Sequence, residues 1–365
     1  MRLTAGAPTL RPITSGRFGR RRRRGAVAVA GLSALLLAAG CSSGSGGSST
    51  SQAGGTITVA AVPGVDNVPL FLAQQKGLFR SAGLNVEIRK YTTVNAEVQA
   101  LASGQVDVAA GDYGPFLFAE SQQKTAGIKI VADGYDAGSG VLEVLTLPGS
   151  NITSPEQLES KTIAAPDTAL LSSGQGQATT TEGKPDSLET AAATSVLGSF
   201  GVDTVTWDPM KPSAEVSALR RHQVPAILVG EPYIYQAESQ LGAVEVFDAC
   251  SGATATLPLS GYFAMGTWAS QHAGTLANYR SVLQQAQTDS ALAGPVESVL
   301  PRYADISASE AAVLTIGTYP SSTNVGSLQR VSQLMFDEGM LTNPVNINDE
   351  YLSLAQKKLA AVAEV

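Results

Sequence analysis

The sequence predicts an α/β protein of two lobes joined by two hinge crossings, and three observations carry that reading. From Gly55 onward, short apolar strands alternate with helical stretches at the spacing of βαβ units. A strand ending in Gly111-Asp112-Tyr113 is restated 118 residues later by one ending in Gly230-Glu231-Pro232, with Gln223-Val224 standing where Gln105-Val106 stood. The chain has 365 residues, 44% of them hydrophobic, which is enough for two cores of ordinary size.

The first fifty residues stand apart from this body. Residues 1–24 hold eight arginines and no acid; an apolar run from Ala26 to Ala39 leads to Gly40-Cys41. A basic region, a short apolar region and small residues before a break form an export signal, too short to span a bilayer comfortably. "LLLAAGC" resembles a bacterial lipobox with Ala38 where a larger aliphatic is usual, which assigns residues 1–40 to a lipoprotein signal and Cys41 to lipidation. Ordinary signal cleavage nearby is the alternative, and Arg20–Arg24 leave a twin-arginine route open. The Gly/Ser stretch 41–54 that follows has the composition of a flexible tether.

Loss of residues 1–40 removes eight positive charges and no negative ones, taking the net charge from −7 to −15. Such an acidic surface disfavours nucleic acid and anionic lipid as partners. Cys250 then has no intramolecular partner, so no disulfide framework is expected.

The elements follow in order. "TITVAAV" (56–62) is a strand, "NVPLFLAQQKGLF" (67–79) a helix, "LNVEIRK" (84–90) a strand and "NAEVQALASG" (95–104) a helix whose Gly104 suits a left-handed terminus. "QVDVAAG" is the next strand, "PFLFAESQQK" (115–124) a helix and "IKIVADGY" (128–135) a strand. After "VLEVLTLP" (141–148) the theme repeats: a capping box at Ser154-Pro155-Glu156-Gln157, the strand "KTIAAP" (161–166), and a helix opened by Asp186-Ser187-Leu188-Glu189 and closed by Gly201. "TVTW" (204–207), the helix 213–222, "PAILV" (225–229) and "VEVF" (244–247) complete the second unit. "GYFAMGTWA" (261–269) reads as a strand crossing back, and helices dominate from Gln271. The expected organisation is 55–139 for the first part of lobe 1, 140–258 for lobe 2, and 259–365 for the return and the completion of lobe 1.

"LFLAQQKGLFRSAGLNVEIRKYTTVNAEVQALASGQVDVAAGD" resembles the start of ABC-importer solute-binding proteins of the nitrate, sulfonate, taurine and thiamine-pyrimidine-precursor group. Ala73, Lys76-Gly77, Phe79, Gly83-Leu84, Val86, Ala100-Leu101, Ser103-Gly104-Gln105, Asp107 and Glu231-Pro232-Tyr233 carry the resemblance. It covers roughly residues 56–340 and is weaker in the second lobe, where Pro225 replaces the expected aspartate. The resemblance implies the two-lobed periplasmic-binding-protein-like type II fold with mixed sheets. It also implies a monomer that binds a small molecule, meets the permease and ATPase subunits of an importer, and touches the membrane through its lipid alone.

Catalysis has little support in the residues. A Ser-His-Asp triad would need His222 or His272; the first ends a helix and the second starts one. HExxH, CxxC and Walker patterns are missing, so no metal, cofactor or enzyme activity is expected.

In open α/β sheets ligands sit beyond the carboxyl ends of the strands. The candidate contacts are therefore Asn67, placed to cap the helix at Val68, then Thr93, Asp112, Tyr113, Tyr135 and Asp136. The second lobe offers Thr168, Glu231 and Tyr233, with Tyr262 on the return crossing. Each residue type also serves as a cap or turn. The sign of the set says more: strand ends carry Asp66, Asp112, Asp136 and Glu231 without Lys or Arg. The expected ligand is a flat nitrogenous or cationic compound resembling an aminopyrimidine. An alkanesulfonate, taurine or nitrate is the alternative, and a non-transport surface lipoprotein a more distant one.

Overall fold

The computed structural model describes residues 55–122, 127–167, 181–182 and 185–352. The signal, Cys41, the tether and Thr168 lie outside the described residues.

Among the described residues, eleven strands form two mixed sheets. The first contains β1 (Thr56–Ala61), β2 (Asn85–Lys90), β3 (Val108–Asp112), β4 (Ile128–Asp136) and, far along the chain, β11 (Pro258–Met265). Their order is β2-β1-β3-β11-β4: β1 runs parallel to β2 and β3, and β11 is antiparallel to both β3 and β4. The second sheet contains β5 (Leu142–Thr146), β6 (Thr162–Pro166), β7 (Thr181–Glu182), β8 (Thr206–Met210), β9 (Ala226–Gly230) and β10 (Val244–Asp248), in the order β10-β5-β9-β6-β8-β7. The return strand is 258–265 rather than 261–269, because Gly266–Gln271 turns into a helix where the Gly266 N–H donates to the Gly127 carbonyl at 2.6 Å. The capping box at Ser154 opens only a 3-10 turn, Pro155–Leu158, with Gln157 Oε1 accepting from the Ser154 N–H at 3.2 Å.

The chain passes between sheets at 137–141 and 249–257, and the two crossings run side by side: Ala137 N–H donates to the Leu257 carbonyl at 2.8 Å and Ala249 N–H to Leu142 at 2.9 Å. A further link comes from the helix Val325–Asp337, which packs on the helix Tyr113–Ser121 of the first lobe and on the helix Leu188–Ser199 of the second. Its buried Leu328, Val331 and Met335 join one apolar cluster running from Phe116 and Phe263 to Leu188 and Trp207.

The two helix-strand units separated by 118 residues are built alike. Helix Val94–Ala102 ends through Gly104, whose φ is 70°, with Gly104 N–H on Leu101 at 3.0 Å and Gln105 N–H on Ala100 at 2.9 Å. Helix Pro212–Arg220 ends through His222 at φ 54°, with His222 N–H on Leu219 at 3.0 Å and Gln223 N–H on Ala218 at 2.9 Å. The left-handed position is easy for glycine and strained for histidine. At the strand starts, Asp107 accepts from Thr58 N–H and Oγ, both at 2.7 Å, whereas Pro225 offers its carbonyl to Thr146 Oγ at 2.7 Å. The aspartate-to-proline change thus keeps a tie to a neighbouring strand, and the proline, just before β9, costs no ladder bond.

Candidate functional site

The carboxyl edge of the first sheet gathers acids. Asp66 follows β1, Glu97 lies in the first turn of the helix after β2, and Asp112 ends β3 opposite Ser260 of β11. Asn67 does not cap its helix. Its Nδ2 donates instead to the Val62 carbonyl at 2.9 Å and to Asp66 Oδ2 at 3.1 Å, with the Ala110 carbonyl at 3.4 Å, so it fixes the Asp66 loop against β3. Glu97 is 0% exposed, its carboxylate without a side-chain partner and drawing only on the Val62 backbone. Its tip packs against Gly111, where an added Cβ would meet Oε2 together with Val94 and Phe116 at 3.1 and 3.3 Å.

The second lobe repeats the arrangement. Glu215, the fourth residue of its helix after β8 as Glu97 is after β2, is also 0% exposed with both oxygens unpartnered. Glu189 stands in the first turn of the helix Leu188–Ser199, and the buried Asp186 lies just before that helix.

Electrostatics tie these groups together. Burial pushes Asp66 up to about 6 against the pull of the Ser260 hydroxyl, and the Glu189 charge adds to the rise. Burial also holds Asp112 well above the usual carboxylate range, with Glu189 and Asp66 raising it further. Glu97 is raised well above its ordinary value by burial and then by Asp112 and Asp66; Glu215 is raised by burial and then by Glu189. Every charge acting on these four is negative. Buried carboxylates without a cationic partner are costly to ionise.

The other residues singled out from the sequence are placed differently. Tyr113 is fully buried and donates its hydroxyl to Asp133 Oδ1 at 2.9 Å, with its ring edge-on to Phe263. Tyr135 is buried and accepts from Gly317 N–H at 2.7 Å. Tyr262 is buried with an unpartnered hydroxyl. All three rings are buried in the first lobe, Tyr262 on β11 itself and Tyr135 in an apolar cluster with Val141 and Tyr319, and none lines a rim. Thr93 caps its own helix, its side chain accepting from Ala96 N–H at 3.3 Å. Asp136 exchanges backbone hydrogen bonds with Thr318, and burial lifts it to about 6 while Arg330 opposes the rise. Glu231 gives one oxygen to Tyr235 N–H at 3.1 Å and the other to Thr315 N–H at 2.9 Å, so it acts as a tie. Tyr233 is half-buried, its hydroxyl raised by burial and then by the neighbouring Glu215.

The structure therefore brings together Asp112, Asn67 and the strand-end Asp66, and adds Glu97, Glu189 and Glu215, which the sequence presents only as helix residues. The signal for two of them is in the letters: Ala96-Glu97-Val98 with Ala100-Leu101 recurs as Ala214-Glu215-Val216 with Ala218-Leu219, again 118 residues on. Among the described residues, no group of three or more His, Cys, Asp or Glu is arranged to hold a metal ion, and no helix is long and apolar enough to cross a membrane.

Comparison with known proteins agrees with this architecture. Residues 65–197 match the family model described as NMT1/THI5 like. The periplasmic aliphatic sulphonate binding protein SsuA from Escherichia coli superposes with a TM-score of 0.64 at 15% identity, covering 81% of this chain and 96% of its own. The periplasmic nitrate-binding protein NrtA from Synechocystis PCC 6803 gives 0.64 at 12% identity, covering 84% and 88%. The desulfurization enzyme DSZB gives 0.60 at 16% identity, covering 84% and 99%, so the same fold also carries an enzyme. No curated protein sequence matches the chain. The sulphonate- and nitrate-binding neighbours are of the kinds that the sequence resembles, and the fold is the two-lobed periplasmic-binding-protein-like type II fold.

Proposed function

We propose that this protein is the extracytoplasmic solute-binding component of an ABC importer, holding a small nutrient between its lobes and passing it to a permease with its ATPase subunits. The observation that carries the reading is the convergence of Asp66 and Asp112 from the first lobe with Glu189 from the second, each acting electrostatically on the next. A ligand held there would meet both lobes, and closure around it would select a state the permease recognises. The ligand class this favours is cationic or rich in N–H donors, such as an aminopyrimidine. Lipidation of Cys41 tethers the monomer to the outer face of the membrane, and a Cys41→Ala chain should then leave the membrane fraction.

An anionic ligand is the second reading, favoured by the sulphonate- and nitrate-binding neighbours. Untargeted mass spectrometry of small molecules released from the purified protein separates these. An amine or nitrogen heterocycle supports the first reading, and a sulfonate or nitrate replaces it. No released molecule, with no thermal shift across a nutrient panel, would leave a surface lipoprotein outside transport.

A further inference from the structure

A cavity of about 350 Å³ lies apart from the acids between the lobes. It sits among the helices Ala273–Ser290, Ala293–Val299 and Ala308–Ala311 and the segment 314–319. Val296, Ala311 and Tyr319 are buried in its wall, while Leu292, which also lines it, is 68% exposed. Two hydroxyls of the wall are already engaged: Ser290 Oγ donates to the Ala286 carbonyl at 2.8 Å and the Tyr319 hydroxyl to Val65 at 2.6 Å. What remains for a guest is mostly apolar surface. Among the described residues lining the cavity, Glu297 alone is charged, and the helix Ala273–Ser290 ends there with no basic residue in its last turn. A carboxylate and the carboxyl end of a helix both favour a cation.

The segment 314–319 also reaches the hinge. Gly317 N–H donates to the Tyr135 hydroxyl at 2.7 Å, and Asp136 and Thr318 exchange backbone bonds at 2.8 and 3.0 Å. A Cβ at Gly317 would run into the Asp136 carbonyl and the Tyr135 ring, so the segment lies directly on the start of the first crossing. Thr315 N–H extends to Glu231 of the second lobe at 2.9 Å. One short stretch thus walls the cavity, rests on the crossing and touches the far lobe.

We propose that this cavity is a second, regulatory binding site for a small amphiphilic amine. The apolar body packs against Val296, Ala311 and Leu314, and the ammonium meets Glu297. The volume and the largely apolar wall with one charged group suit such a molecule. Once filled, the cavity holds the segment 314–319 against the first crossing and so biases the hinge. That bias rests on the solute-binding reading; the site itself does not.

Calorimetric titration of the full chain with 2-phenylethylamine, set against 2-phenylethanol, tests this. Both should bind saturably, the amine roughly three- to tenfold tighter, a modest margin because Glu297 is partly exposed and screened. Glu297→Gln should remove the margin, and Ala312→Phe, which fills the cavity from an exposed position, should abolish binding of both. Hydrogen exchange at the Thr315 and Gly317 amides should slow when the amine is saturating, a reading that needs no variant. No saturable binding, or equal binding by Ala312→Phe, would overturn the inference, and unaltered exchange would overturn the regulatory role. If Asp112→Asn abolished binding and Ala312→Phe did not, the amine would belong to the interlobe acids: this inference would fall and the solute-binding reading would stand. A protein that releases no solute yet binds the amine here keeps the site while the transport reading falls.

Discussion

The Glu231 carboxylate accepts the Thr315 N–H at 2.9 Å while its other oxygen holds the Tyr235 N–H at 3.1 Å. This joins the end of β9 in the second lobe to a segment docked on the first, where Tyr319 donates to the Val65 carbonyl at 2.6 Å and Tyr303 to Gly64 at 2.8 Å. An opening motion that swings the second lobe away must break it. Glu231→Ala should lower stability to urea by about 1–3 kcal/mol, the range for bonds to a charged group of which part is solvent-screened. Small-angle scattering of the same variant should show a more extended particle. Unchanged stability and dimensions would argue against a tie.

Asp112→Asn and Asp66→Asn test the sign of the ligand. Each keeps the shape of the loop and removes one charge from a set whose members raise one another. With a cationic ligand, affinity should fall by about 1.5–3 kcal/mol per substitution while the ligand-free melting temperature stays equal or rises. Tighter binding by the variants, read by calorimetry, would point to an anion.

The ligand-free protein should lose stability as pH rises from 4 to 8. Asp66 and Asp186 are lifted to about 6, Glu143 to about 7 and Asp133 to about 8, in each case chiefly by burial. An acid whose folded value is raised binds more protons in the folded than in the unfolded chain between the two values. Stability is therefore greatest below about 4 for these groups and declines through the folded values. A melting curve measured at half-unit steps should fall across this window. A bound cation should flatten that fall, and its binding at pH 6 should release protons into the buffer.

His222 should be improvable. It takes the left-handed φ of 54° at the place where the first lobe has Gly104 at 70°. His222→Gly should stabilise by about 1 kcal/mol and Gly104→Ala destabilise by about the same, measured by denaturant midpoint at constant slope.

Much of the fold was legible because its period was. Strand and helix alternate in short apolar runs, and turn residues such as Gly104 fall at the boundaries. Of the candidate site, the acids Asp112 and Asp66 were legible as residues that end or follow a strand. The burial of Tyr113, Tyr135 and Tyr262 was not, because β3, β4 and β11 come together only in the fold and β11 arrives from far along the chain. Nor was the enclosure of Glu97 and Glu215: a glutamate in the first turn of a helix reads as a solvated dipole partner, and only the fold shows that both are enclosed.

The insertion of β11 between β3 and β4 has a consequence for how the molecule is made. Until residues 258–265 arrive, β4 has no neighbour within its sheet, and the buried strand Ile128–Asp136 shows an unsatisfied edge on both sides. The first lobe therefore cannot finish folding until the whole of the second has been synthesised, although its own first strand leads the described chain. Such non-local closure is slow to nucleate. A chain truncated before Pro258 would be left with an open, apolar sheet edge prone to self-association.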